Sequence, residues 1–254
     1  MVAPEAGMNY FGDVWDWLRD GQHWTGDEGV PNRLLEHVQI SIVSLVVATL
    51  VALPIGLLLG HFRRGAFVAI NVSNIGRAIP ALSILLMAVL VWGIGDPPSY
   101  LATIGVVSVP AFVALVALAI PPILTNTYVG VAGIDPNVRE AATGMGLNGR
   151  EVLRTVELPL SGPFIMAGLR TSAVAVVATA TLLAYVGGGG LGRFIIDGSR
   201  ISYSDPRVFV GALFVALLSV TAELALGFVE RVILPRPLRA SSSAVSDDAP
   251  RVAA

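Results

Sequence analysis

The chain has 254 residues, 54% hydrophobic and 13% charged, with a net charge of −2 and a mean hydropathy of +0.75. A soluble domain carries about 25% charged residues, so this balance points to a bilayer and gives no argument for nucleic acid. There is no cysteine, which excludes disulfides and thiolate metal sites. Every basic residue is an arginine, which excludes a Walker A loop, since that loop needs a lysine on the phosphates.

In chain order, residues 1–33 lack the basic and apolar regions of a signal peptide. Tyr10, Phe11, Val14, Trp15, Trp17 and Leu18 recur at helical spacing and predict a short interfacial helix, with aromatics at headgroup level; the alternative is a partly ordered tail. Five stretches have the length and apolarity of a membrane span: 37–60, 66–94, 101–128, 163–187 and 207–234. The second is long and holds Pro80; it is tilted, kinked or split, and a split gives six spans. The chain is therefore expected to be an all-α polytopic membrane protein, with a transmembrane domain over 34–235 and a polar, disordered tail over 236–254.

Arginine placement predicts the orientation. One set of connections carries Arg63, Arg64, Arg139, Arg150, Arg154, Arg170, Arg231, Arg236, Arg239 and Arg251. The other carries only Arg19, Arg33, Arg193, Arg200 and Arg207. The richer side is read as cytoplasmic, which puts the N-terminus outside, and the C-terminus and 129–162 inside.

Arg77 and Glu223 are the notable charges within spans. Intramembrane charges are costly and face the bundle interior. Each lies about 16 Å from the cytoplasmic end of its span, so they are expected to pair. His23, His37 and His61 show no metal-ligand spacing and read as unrelated polar residues near the membrane boundaries. No metal site and no catalytic residue are expected. Gly187, Gly188, Gly189, Gly190 and Gly192 formally fit G-x-G-x-x-G, but they follow an apolar segment and not a strand, so a dinucleotide site fails. They predict a flexible or re-entrant turn, either lining an outer gate or merely connecting.

The connection at 135–159 is too structured for a linker. Asp135-Pro136 is a helix start, with Asp as cap and Pro at the first helical position. Glu140-Ala141-Ala142 favours helix. Gly144 and Gly146 interrupt it, and a second helix is expected to run to Pro159. Glu140-Ala141-Ala142, three residues, Gly146, nine residues, Val156, one residue, Leu158-Pro159 resembles the cytoplasmic signature of ABC importer permeases, with Val156 where the family has Ile. The flanks narrow the resemblance: Arg77-Ala78-Ile79-Pro80-Ala81-Leu82, Asn126–Pro136, Ala167–Ser172, and Ala178–Gly192 look like permeases of osmoprotectant importers, over about 34–235.

That resemblance implies a type I importer permease with a methionine-importer-like core of five or six helices in a bacterial cell membrane. It implies that Glu140, Ala141, Ala142 and Gly146 contact an ATP-binding subunit, and that Leu158 and Pro159 set the return into the membrane. ATP and Mg would be bound by that partner, with no cofactor in this chain. A separate extracytoplasmic binding protein, a second permease copy or paralogue, and lipid complete the expected partners. The solute would be glycine betaine, choline, carnitine or proline betaine. A methionine-type or other small-solute importer is the nearest alternative; a non-transporting scaffold or sensor is the alternative of another class.

Overall fold

The computed structural model describes residues 9–63, 67, 71, 78–92 and 109–234. Its elements are α1 (Tyr10–Arg19), α2 (Val30–His61), α3 (Ala81–Trp92), α4 (Val109–Ala132), α5 (Pro136–Gly144), α6 (Gly149–Val152), α7 (Leu158–Ala180), α8 (Gly192–Ile201) and α9 (Pro206–Ile233). Among the described residues every regular element is helical. Among these residues four runs are long and apolar enough to cross a membrane: Val30–His61, Val109–Ala132, Gly149–Val186 and Pro206–Ile233; α3 is a shorter apolar helix. The second expected span falls partly outside the described residues, and so does Arg77. The tail from 235 onward lies outside them as well.

Leu50, Leu224, Phe228 and Val232 are exposed on these helices. Contiguous bare apolar surface of this kind needs lipid or another chain to cover it. Pro54, Pro121, Pro122 and Pro163 lie inside helices, which membrane helices tolerate when neighbouring groups satisfy the freed carbonyls. On α4 the Asn126 side chain also donates to the Pro122 carbonyl one turn back, at 2.8 Å.

The residues divide into two compact units, whose boundaries cut α2, α4, α7 and α9. In the first unit, Ile40 of α2, Leu85 and Ala88 of α3, Ala111, Ala114 and Leu115 of α4, and Ala180 of α7 form one apolar core with Leu183 and Val186. A second core joins Val14 and Trp17 of α1 to Val30, Leu191, Phe194 and Val210. The expected N-terminal helix therefore forms, but half of its apolar face is spent on the protein. Trp15 and Phe11 remain exposed, as an interfacial helix requires.

In the second unit, α2 and α4 approach closely through Gly56 and Gly60. A Cβ at Gly56 would meet Thr127 at 2.8 Å, and one at Gly60 would meet Val131 at 2.6 Å. Small residues at such crossings let membrane helices pack backbone to backbone. The same unit carries the connection at 135–159.

Candidate functional site

The connection folds largely as its residues dictate. The Asp135 side chain caps α5 by accepting the Asn137 N–H at 2.8 Å, with Pro136 at the first position. The helix ends at Gly144 with Met145 as its cap, and Gly146 just beyond has a φ of +93°. The Gly146 N–H donates to the Thr143 carbonyl and the Leu147 N–H to the Ala142 carbonyl, at 2.9 and 3.2 Å. This is the Schellman arrangement, and it needs a left-handed residue at that point. Asn148 then starts α6 with a reciprocal capping box: its side chain accepts from Glu151 N–H, and the Glu151 carboxylate accepts from Asn148 N–H.

The second helix does not stop at Pro159. From Gly149 the chain continues through a π-helical turn, Leu153–Glu157, straight into α7. Proline has no N–H to give to the carbonyl four residues back. The wider π turn, closed by the Leu158 N–H on the Leu153 carbonyl, comes just before it and absorbs the mismatch. Leu158 and Pro159 thus lie in the first turn of α7, so the second helix runs on into the apolar segment without a break.

Glu140, Ala141 and Gly146 are exposed, and so is Met145 at 76%. Ala142 differs: at 2% exposed it is packing inside the knob. Val156 is half-buried.

A buried polar cluster holds this knob. Glu157, the unassigned position of the signature, is fully buried. His61 at the end of α2 donates from Nδ1 to Glu157 Oε2 at 2.7 Å. Arg139, next to Glu140, places Nε 3.1 Å from Glu157 Oε1. That contact is an ion pair without hydrogen-bond alignment, since both atoms lack a hydrogen-bond partner. Arg139 also donates to the carbonyls of Val131 and His61, and Arg63 to that of Ile134 at 2.9 Å. These are C-terminal carbonyls of α4 and α2 and of the residues just beyond α4, groups that a helix end leaves unpaired. A buried carboxylate is stable only when paired and hydrogen-bonded, so the cluster fixes where α5 and the π turn sit against α2 and α4.

Two of the three histidines are therefore not incidental, which corrects the reading from spacing alone. His37 is fully buried in α2. Its Nε2–H donates to the Val177 carbonyl at 2.9 Å, and its Nδ1 accepts the Leu191 N–H at 3.2 Å. Beside it, the Glu36 carboxylate accepts the Gly190 N–H at 2.7 Å and pairs with Arg33 at 3.0 Å. The glycine run is thus an ordered turn, with Gly187 and Gly190 at φ +82° and +85°. Gly189 leaves the space that Glu36 occupies.

Among the described residues Glu223 has a partner in Arg170. Arg170 donates to it from Nε at 2.9 Å and from a terminal nitrogen, and to Glu230 at 2.9 Å. Arg170 lies within α7, not in a connecting segment as the arginine pattern suggests. Arg77 is outside the described residues.

The model of the family described as binding-protein-dependent transport system inner membrane component matches residues 52–234. The chain belongs to this family. Among relatives of this inner membrane component, the choline transport system permease protein OpuBB of Bacillus subtilis is 37% identical over 203 residues, covering 80% of this chain and 88% of that one. The glycine betaine/carnitine/choline transport system permease protein OpuCD of the same organism is 32% identical over 228 residues, covering 89% and 94%. The osmoprotectant import permease protein OsmY of Salmonella typhimurium is 30% identical over 201 residues, covering 78% and 80%. In fold, the component resembles a chain of the inward-facing MetNI methionine ABC transporter, with a TM-score of 0.64 and 20% identity, covering 92% of this chain and 100% of that one. It is thus an all-helical, multi-pass membrane protein with a type I importer permease fold. The signature segment, residues 140–159, lies wholly inside the family match.

Proposed function

We propose that this chain is the translocating subunit of an ATP-driven importer for osmoprotectants such as glycine betaine, choline, carnitine or proline betaine. The observation that carries it is the combination of the signature knob with the names of its relatives: three proteins at 30 to 37% identity over most of the chain are osmoprotectant or choline permeases. The likeness to the methionine transporter, at 20% identity, speaks to fold alone.

In this reading the exposed surface of Glu140, Ala141, Met145 and Gly146 seats in a separate ATP-binding subunit. ATP closes two such subunits, and the knobs swing the bundle between inward- and outward-open states. The π turn makes α6 and α7 one lever, so displacement of the knob is delivered directly to a span. The bare apolar faces of α2 and α9 are covered by lipid and by a second permease copy or paralogue. A binding protein delivers solute from outside. The excess of arginines around 129–162 supports a cytoplasmic knob, an outer N-terminus and an inner C-terminus.

The test has two arms. Co-expression with an ATP-binding subunit encoded in the same genome should give a complex that Glu140→Arg or Gly146→Val disrupts; unchanged complexes in both variants count against docking here. Uptake of labelled glycine betaine under salt stress should fall in a deletion strain; unchanged uptake removes the solute class.

A further inference from the structure

The first unit contains a cavity of about 510 Å³, within the size range of small-molecule sites. Its wall includes Arg33, Arg193, Arg207, Glu28, Asp197 and Asp205, three charges of each sign. They stand as pairs: Arg193 with Asp197 at 3.0 Å, Arg207 with Asp205 at 2.8 Å, and Arg33 with Glu28 at 3.5 Å. Trp17 also lines it. Trp17 is only 9% exposed, its ring stacks on His23 at 4.1 Å, and its indole N–H is buried without an acceptor. A buried donor left unpaired marks a place where an acceptor is missing. The wall has two origins: Trp17 and Glu28 precede the family match, whereas Arg193, Asp197 and Asp205 fall within it.

We propose that this cavity binds a small zwitterion, a molecule carrying a carboxylate or other acidic oxygen and a cationic centre on one short frame. A lining balanced in charge gives no net attraction to a simple ion. A zwitterion instead exchanges both ends with the existing pairs, its oxygens taking Arg193 and the Trp17 N–H, and its cation taking Asp197 and Asp205. Arg33 and Arg193 also line a neighbouring cavity of about 260 Å³ with Glu36 and Gly187 to Gly189. A ligand drawing on Arg33 therefore competes with Glu36, which holds the Gly190 N–H. Occupancy is thereby felt at the glycine turn. The choice of glycine betaine as probe rests on the transport reading; the site itself rests on the cavity.

The full chain in phosphatidylglycerol nanodiscs, without a binding protein, would be titrated with glycine betaine. Saturable binding is expected, with acetate and tetramethylammonium, each half of the ligand, at least about tenfold weaker. Trp17→Phe should weaken binding at least about tenfold; it also thins the core that Trp17 shares with Val14 and Phe194 and lowers the thermal midpoint, so binding is read well below that midpoint. Asp197→Asn should weaken it as well. No saturable binding up to about 10 mM, or binding indifferent to both substitutions, overturns the proposal. Discs containing phosphatidylethanolamine separate the two sources of this chemistry: displacement of betaine by that lipid keeps the site and makes a headgroup its occupant. Betaine uptake by the complete system without betaine binding to this chain sinks the cavity assignment and leaves the transport reading standing. Binding without uptake does the reverse.

Discussion

The Glu157 carboxylate is fully buried, and His61 Nδ1 lies 2.7 Å from it. The pair joins the signature loop to the end of α2, with Arg139 closing the other carboxylate oxygen. Removing one member of such a cluster strands the rest, which costs about 3–5 kcal/mol where the site is dry. Glu157→Gln keeps the shape but leaves Arg139 without its counter-ion. It should lower the thermal midpoint of the purified protein and weaken ATPase retention together. His61→Gln, which keeps a donor, should be milder than His61→Ala. A midpoint unchanged in Glu157→Gln would show that the cluster is not holding the knob.

Gly146 isolates a backbone effect. A Cβ there would meet nothing within 4 Å, yet φ is +93°. Any loss on substitution is therefore conformational. A left-handed non-glycine residue costs about 1–2 kcal/mol, less for Asn and more for β-branched side chains. Thermal stability should follow Gly, Asn, Ala, Val in falling order. Ala and Asn behaving alike would argue that the turn relaxes.

How much was legible follows from sequence distance. Asp135-Pro136, the capping of α5 and the Gly146 turn depend on neighbours within a few residues, and the sequence spells them out. The His61–Glu157 pair spans 96 positions, and the Glu36–Gly190 and His37–Leu191 bonds span 154. No periodicity links them. Glu157 was passed over because the signature leaves that position open; a charged residue amid Val156, Leu158 and Leu160 was the available signal. Pro159 misled for a different reason. Proline normally ends a helix, and only the π turn lets this one continue. Depth along a span does not reveal Arg170 opposite Glu223, because that contact depends on how α7 packs on α9.

Arg170 serves two acids, Glu223 and Glu230. Arg170→Gln should therefore cost more than Glu223→Gln, since it leaves two carboxylates on one helix face without a cation. All three side chains are partly exposed, so differences on the order of 1 kcal/mol are expected. Arg170→Glu with Glu223→Arg should recover stability lost by Arg170→Glu alone. Absence of any recovery would show that the pairing does not contribute.

Asp205 gives a pH signature. The Arg207 side chain, hydrogen-bonded to it, holds its carboxyl below the usual range, ahead of the opposing effect of burial. A depressed carboxylate contributes stability that is present above its unfolded pKa and is lost as pH falls through the folded one. Thermal midpoints measured from pH 7 down to about 3 should fall less steeply in Asp205→Asn than in the native chain. Parallel curves would remove Asp205 from the account.

The glycine turn offers the sharpest steric test. Alanine at Gly189 must displace the Glu36 carboxylate, and with it the acceptor for the Gly190 N–H and the partner of Arg33. The backbone at Gly189 is not left-handed, so no conformational cost obscures the result. Gly189→Ala should therefore destabilise the chain about as much as Glu36→Ala, and the double variant should be little worse than either, because both remove the same contact. His37→Ala acts on the neighbouring Leu191 N–H and should add to Gly189→Ala. Additivity between Gly189→Ala and Glu36→Ala would mean that Glu36 does not anchor the turn, and that the ordered loop is held by its left-handed residues alone.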